Sequence, residues 1–259
     1  MAETGRIADT QHSRVIGGLL MSTYVLIHGA WHGGWCWSEV AGILRKQGHT
    51  VLTPDLPGHG LDKTPISQIS LQLYAEAVVK LLDQQTEPAI LVGHSMGGIV
   101  VSRAAELRPE KVKILTYVCA FLLRNGETLV QIAQSDSNAL VMPNLVFSED
   151  QSNASVKDEM LKKTFYTDCT EEIAAQAQSR LVPQALAPFG SPLEITETNY
   201  GRLPRVYIEC THDRAISVDV QRAMVKASPC KNVFSIETDH SPFLSAPTQL
   251  AAHLGSLAS

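Results

Sequence analysis

The chain has few cysteines, and none of them has the spacing of a metal or redox motif. Five cysteines occur among 259 residues without a C-x-x-C pair, and the odd number leaves one unpaired in any full disulfide scheme. Thiols in this pattern suit a reducing compartment. We therefore expect a cytoplasmic location.

Long runs of one charge sign are also absent. The 21 basic and 26 acidic residues are interspersed and give a net charge of −5, which is unlike a nucleic-acid-binding or polybasic membrane-binding surface. We expect no nucleic-acid partner and no membrane partner. The expected ligand is a small, mostly neutral molecule.

The first 21 residues lack the features of a signal peptide or a membrane span. Their apolar patch, VIGGLLM, is much shorter than the roughly 20 residues that cross a bilayer, and no small-residue cleavage site follows it. Met21 stands directly before the first convincing strand pattern. We expect residues 1–21 to be a disordered N-terminal extension that takes no part in the fold.

The remaining chain alternates between strand and helix patterns. Short apolar runs rich in β-branched residues are separated by stretches of helical spacing, which indicates a parallel sheet with helices on both faces. A hydrophobic content of 44% is ample for the core of such a domain. The pattern predicts an α/β fold with a mostly parallel six-stranded sheet. The predicted strands are residues 23–27, 50–55, 89–93, 112–120, 205–210 and 232–238.

Residues 121–197 interrupt this alternation. They combine helical pieces with prolines at 143, 183, 188 and 192 and contain no strand-helix unit. Loops longer than roughly 15 residues are uncommon in compact domains. We therefore predict a largely helical cap, inserted into a core that is formed by residues 22–120 and 198–259.

A serine between two glycines follows the third predicted strand. Gly93-His94-Ser95-Met96-Gly97 matches the G-x-S-x-G pattern, in which a strand turns sharply into a helix and exposes the serine oxygen. A serine before a helix can also serve only as its N-cap. The flanking glycines and the strand-to-helix setting favour Ser95 as a catalytic nucleophile.

Two further polar side chains follow later strands. Asp213 comes after strand 205–210 and His240 after strand 232–238, and ligands bind beyond the carboxyl ends of parallel strands. The order serine, acid, histidine is that of an α/β-hydrolase triad. Asp219 and Asp239 are alternative acids, but Asp219 falls inside a predicted helix and Asp239 adjoins the histidine. For His240 the alternative is a surface histidine without a catalytic role.

A serine nucleophile of this kind needs donors for the oxyanion that forms on the substrate. We predict the backbone N–H groups of Met96, just after the nucleophile, and of Ala30, in the loop after the first strand. His28, His32 and His59 offer an alternative interpretation as a metal site. No H-x-x-x-H helix or carboxylate cluster supports it, so we expect no metal.

Five segments resemble the α/β-hydrolase group that contains hydroxynitrile lyases, plant methylesterases and bacterial carboxylesterases of the pyrethroid-hydrolase type. Together they extend from residue 24 to about residue 250. The resemblance implies the triad Ser95, Asp213 and His240, an oxyanion hole of Ala30 and Met96, hydrolysis without a cofactor in a pocket between core and cap, and frequent homodimers. The segments are YVLIHGAWHGGWCW, VGHSMGG, FYTDCTEEIAAQAQSRLVPQAL, ECTHDRAIS and TDHSPFLSAP.

Within this group the sequence favours ester hydrolysis. Plant lyases carry a threonine at the position of Gly29 and a lysine at that of Ser241, whereas DLPGHG after the second strand is closer to bacterial than to plant members. We expect a serine carboxylesterase for small hydrophobic esters, with a lyase or a slow-turnover ligand receptor as alternatives. The expected substrate contacts are Trp31, Phe121, Leu122, Phe147, Phe165 and Phe189.

Overall fold

The computed structural model describes residues 21–258, together with strands β1 (Val15–Ile16) and β2 (Leu19–Leu20), which pair in antiparallel fashion. The predicted N-terminal extension lies otherwise outside the described residues. No described helix is both long enough and apolar enough to cross a bilayer.

The core is built on one six-stranded sheet in which every pair of neighbouring strands is parallel. The sheet order is β11-β10-β6-β5-β3-β4, which confirms the predicted sheet. Three strands are shorter than predicted; β4 stops before Pro54, which lacks the N–H that a sheet ladder requires. The strands are β3 (Thr23–Ile27), β4 (Thr50–Leu52), β5 (Ala89–His94), β6 (Val112–Val118), β10 (Arg205–Cys210) and β11 (Asn232–Ile236).

Helices cover both faces of this sheet because successive side chains of its strands point to opposite sides. On β3, Val25 and Ile27 belong to one buried cluster, whereas Tyr24 and Leu26 belong to another. Helices α2 and α3 pack into the first cluster, and α1 and α10 into the second. The core helices are α1 (Ser38–Lys46), α2 (Leu71–Asp83), α3 (Gly97–Leu107), α8 (Val218–Ala227), α9 (Pro242–Ser245) and α10 (Pro247–Gly255).

The chain between β6 and β10 contains four helices and a small antiparallel sheet of order β7-β8-β9. The helices of this stretch agree with the prediction from the sequence. The small sheet was not predicted, because strands of two to four residues are too short to show alternation. We propose residues 121–197 as the cap. Its elements are α4 (Leu129–Ser135), β7 (Leu145–Phe147), β8 (Asn153–Val156), α5 (Asp158–Phe165), α6 (Glu171–Gln178), β9 (Gln184–Ala185) and α7 (Ala187–Gly190).

Candidate active site

Ser95 lies in a tight turn between β5 and α3. Its φ is 53°, in the left-handed region that a residue with a side chain occupies only at a cost. The surrounding backbone holds it there: the Ser95 N–H donates to Val118 O at 3.3 Å, and the Ser95 carbonyl accepts from Gly98 N at 3.0 Å and Phe121 N at 3.1 Å. These bonds offset the strain and orient the side chain.

The two glycines of the pattern are required by close backbone contacts. A Cβ on Gly93 would lie 2.5 Å from the Gly97 carbonyl oxygen, and a Cβ on Gly97 would lie 2.8 Å from the His28 carbonyl oxygen. Both distances are shorter than van der Waals contact. The pattern therefore reflects how closely α3 approaches β5 and the loop after β3.

His240 is bonded to Asp213 in the interior. The imidazole Nδ1 donates to Asp213 Oδ2 at 2.7 Å, and both side chains are almost fully buried. Asp213 Oδ1 accepts from the N–H groups of Ala215 (2.7 Å) and Ile216 (2.9 Å), and Oδ2 accepts from Gln221 Nε2 at 3.1 Å. Every partner donates, so the carboxylate is held in one orientation against the imidazole.

The two alternative acids lie elsewhere. Asp219 is exposed in the first turn of α8. Asp239 is buried but points away from the imidazole: Oδ1 accepts from Ser241 N and Ser245 Oγ, and Oδ2 accepts from Asp168 N. Of the three acids considered, Asp213 is thus the one that contacts His240.

A cavity lies over Ser95, and its lining is apolar except for that serine. Its volume is ≈ 30 Å³. Among the described residues the Ser95 hydroxyl makes no hydrogen bond, and neither do the N–H groups of Ala30 and Met96. The lining residues are Ala30, Trp31, Ser95, Met96, Phe121, Leu129, Ala133, Ala139, Val141, Met142, Phe165, Phe189, Ala215 and Ile216.

Four of the six expected substrate contacts lie in this lining, namely Trp31, Phe121, Phe165 and Phe189. Leu122 and Phe147 do not. Leu122 is buried in the core, and Phe147 is 53% exposed on β7, an edge strand of the small sheet. The cavity therefore gives no support to these two residues as substrate contacts.

Several lining residues are missed by the sequence analysis. Leu129, Ala133, Ala139, Val141 and Met142 come from α4 and the segment after it, a stretch whose apolar residues carry no chemical motif. Ala215 and Ile216 could have been predicted as lining residues, because they follow the predicted catalytic acid Asp213 by two and three positions.

His94, to which the sequence analysis gave no role, contacts the backbone of His240. Its Nε2 donates to the His240 carbonyl oxygen at 2.8 Å, and Cys119 Sγ donates to the same oxygen at 3.5 Å. Burial lowers the pKa of His94 well below its ordinary value, and the nearby His240 adds to this effect. His94 is thus a neutral donor that helps to fix the loop carrying His240.

The ring nitrogens of the three histidines considered as metal ligands face partners within the protein. His28 Nδ1 donates to Gly29 O and its Nε2 accepts from Leu56 N, while His32 bonds to Ala30 O and Tyr166 Oη. His59 faces the oxygens of Pro57 and Gln184, to one of which a neutral ring donates. The described residues bring together a different group, His94, Cys119 and His240, with donor atoms within 4.8 Å of one another. His94 and Cys119 there already bond to the His240 carbonyl.

Burial of neutral histidines makes the fold sensitive to acid. Burial lowers the pKa of His28, His59 and His94, and it lowers that of His32 to about 4. Below about pH 6.5 the unfolded chain binds protons that the folded chain excludes, so the free energy of unfolding falls as the pH falls. For His32 this loss extends down to about pH 4 and amounts to about 3 kcal/mol.

Denaturant unfolding at half-unit steps from pH 7.5 to 5 measures this effect. The free energy of unfolding should stay level down to about pH 6.5 and then decrease steeply. The slope of this free energy against pH measures how many more protons the unfolded chain binds than the folded chain. His32→Gln should reduce that number by about one. A level free energy across the whole range would contradict the assignment of these histidines as neutral in the folded state.

The chain belongs to the alpha/beta hydrolase family, whose sequence profile matches residues 24–253. Methylesterase 7 of Arabidopsis thaliana is 33% identical to it over 244 residues, which cover 89% of this chain and 94% of that protein. Putative methylesterase 13, chloroplastic, from the same plant is 30% identical over 262 residues and matches 96% of this chain, but the chain spans only 59% of its length.

Similarity to solved structures supports the same fold. A crystal structure of a pyrethroid hydrolase from Sphingobium faniae is similar to this chain with a TM-score of 0.82 and 28% sequence identity, covering 92% of this chain and 97% of that one. The family and the fold that the sequence motifs predict are thereby confirmed.

Proposed function

We propose that this chain is a serine carboxylesterase that hydrolyses small hydrophobic carboxylic esters. The observation that carries the proposal is the buried bond of 2.7 Å between His240 and Asp213, and the serine held at a strained turn, Ser95, supplies the proposed nucleophile. The relatives named as methylesterases and the similar pyrethroid hydrolase support ester hydrolysis as the reaction.

In the proposed mechanism Ser95 Oγ attacks the ester carbonyl while His240 Nε2 takes its proton. Nε2 is the nitrogen available for this, because Nδ1 is committed to Asp213. Asp213 maintains the tautomer and stabilises the imidazolium. His240 then protonates the departing alcohol, and water releases the acid from the acyl-enzyme by the same route. Apart from this water, each step uses groups of the chain itself, so we propose no cofactor and no metal.

The negative charge on the substrate oxygen would be stabilised by the N–H groups of Ala30 and Met96. Both residues line the cavity with Ser95, and neither amide has a partner among the described residues. A fixed donor of this kind contributes on the order of 3 kcal/mol to transition-state stabilisation. At these two positions the backbone N–H groups therefore contribute more to transition-state stabilisation than the side chains do.

The cavity favours a compact, apolar ester. Its volume of ≈ 30 Å³ suits a small acyl or alcohol group, and a charged group there would lose its hydration without gaining a partner. We also propose that the protein acts in the cytoplasm, which suits its free thiols. A homodimer remains an expectation from the resemblance.

Cyanohydrin cleavage is the less favoured alternative. A Cβ on Gly29 would lie 2.7 Å from Ser95 Cβ and 2.9 Å from His94 Nδ1, so the threonine of plant lyases does not fit here without displacing the nucleophile. Ser241 also supplies no positive charge for a departing cyanide ion. A ligand receptor with slow turnover would retain the same cavity, and only turnover distinguishes it from an esterase.

A substrate panel tests this proposal. Methyl esters and short-chain nitrophenyl esters should be hydrolysed well above the buffer rate, whereas mandelonitrile and acetone cyanohydrin should release no cyanide beyond the buffer rate. Nitrophenolate release and product acid are measured for the esters, and cyanide is measured colorimetrically for the cyanohydrins. Cyanide release that depends on Ser95 and His240 would favour the lyase, and tight ligand binding without turnover would favour the receptor.

A further inference from the structure

Trp31 separates the active-site cavity from a second space. This side groove has a volume of ≈ 130 Å³ and is lined by Ser155, Asp158, Gln178 and Leu181, among other residues of 155–183 in the proposed cap. The active-site cavity measures ≈ 30 Å³. Among the described residues that line the two spaces, Trp31 is the one that they share.

The indole contacts residues of the proposed cap. Trp31 Nε1 donates to Ala154 O at 2.8 Å, and the Trp31 carbonyl accepts from Val182 N at 2.9 Å. Its ring packs against Phe165 and Phe189, with centroid distances of 5.6 and 6.1 Å. One hydrogen bond and two ring contacts therefore fix the side chain, which is buried.

The backbone conformation of Trp31 keeps its side chain next to the proposed active site. Trp31 has a φ of 63° and directly follows Ala30, whose amide faces the active-site cavity in the proposed mechanism. A side-chain movement at Trp31 would open a passage starting next to the substrate carbonyl, while the bond from Val182 N to the Trp31 carbonyl maintains the loop.

We propose that Trp31 is a gate and the residue that sets chain-length specificity. When the indole leaves Ala154 O, the two spaces join, and the side groove accepts the distal part of an acyl chain that the small cavity excludes. The groove is lined in part by the apolar side chains of Leu161 and Leu181, which can pack against the methylene groups of a medium-chain acyl group. Asp158 in the same lining disfavours an anionic tail. This inference rests on the proposed esterase function.

The test compares kcat/KM for nitrophenyl octanoate and nitrophenyl acetate. Trp31→Ala should raise the octanoate-to-acetate ratio by about tenfold or more, since one methylene group alone can be worth that much in a shaped pocket. Trp31→Phe, which keeps a ring but removes the donor to Ala154 O, should raise it part of the way. Ser155→Phe should lower the ratio in the wild-type background and cancel the gain in the Trp31→Ala background.

Phe121→Ala is the matched control. It removes an aromatic ring that lines the active-site cavity but neither lines the side groove nor makes a ring contact with Trp31, so it leaves the wall between the two spaces intact. An equal rise of the ratio in Phe121→Ala, or an unchanged ratio in Trp31→Ala, would overturn the gate. A Ser155→Phe variant that leaves the wild-type ratio unchanged would show that Trp31 is a fixed wall rather than a gate.

A binding measurement separates this inference from the proposed function. In the Ser95→Ala background, calorimetry should show that Trp31→Ala increases the affinity for 2-decanone relative to 2-butanone. If wild-type protein hydrolyses no ester and this shift is still observed, the esterase proposal fails and the gate stands. If esters are hydrolysed and neither binding nor chain-length preference responds to Trp31, the gate fails alone.

Discussion

Replacing Ser95 by alanine should lower kcat for ester hydrolysis by at least about 10⁴-fold, because the acyl-enzyme cannot form without the hydroxyl. Removal of the hydroxyl should leave the free energy of unfolding unchanged. The Ser95 hydroxyl makes no hydrogen bond with any described residue and faces the cavity, so its removal orphans no buried group. Initial rates with nitrophenyl butyrate and thermal unfolding measured on the same samples check both statements.

Ser102→Ala is the control for this result, with the opposite expected pattern. Ser102 is buried on α3, where its hydroxyl donates to Gly98 O at 2.7 Å and lies 2.7 Å from Tyr117 Oη. Losing these bonds should cost about 1 kcal/mol of stability while kcat changes little. A fluorophosphonate should label wild type and Ser102→Ala but not Ser95→Ala. More than one hundredth of wild-type turnover in Ser95→Ala would refute Ser95 as the nucleophile.

Asp213→Asn should lower kcat by about 10⁴-fold through the wrong imidazole tautomer. The amide oxygen of asparagine can accept from Ala215 and Ile216 N–H, as Asp213 Oδ1 does. Its NH₂ group then faces His240 Nδ1, which must accept a hydrogen bond instead of donating one. The imidazole proton moves to Nε2, and the ring can no longer take a proton from Ser95. The rate is measured with the same ester between pH 6 and 9.

Asp239→Asn provides the comparison for that variant, because it neutralises a second buried carboxylate one residue from His240. Burial raises the pKa of Asp239, and its partners are Asp168, Ser241 and Ser245 rather than the imidazole. We expect at most about a tenfold fall in kcat, since the tautomer of His240 is unaffected. Equal losses in the two variants would point to general disruption of the site instead of a specific Asp213–His240 pair.

Local sequence patterns were sufficient to predict the sheet and the residues at its edge. Each core strand is a short apolar run, and a parallel sheet brings the carboxyl ends of its strands to one edge. Ser95, Asp213 and His240 follow three such ends, so their approach could be expected from strand positions alone. The requirement for glycine at positions 93 and 97 could also be predicted, because a tight strand-to-helix turn excludes side chains from both positions.

What surrounds those residues was decided by tertiary packing. The bond from His94 to the His240 carbonyl joins residues 146 positions apart, and Gln221 reaches Asp213 from a helix whose pattern shows only ordinary amphipathicity. Which apolar side chains line the cavity also depends on how the cap folds back: Met142 reaches it, while Phe147 turns outward on an edge strand. The sequence by itself therefore determined the fold class and the candidate reactive groups, because those follow from local periodicity and turn chemistry. The shape of the cavity and the position of Trp31 between two spaces were determined only in three dimensions, because apolar contacts are non-directional and many partners satisfy them equally.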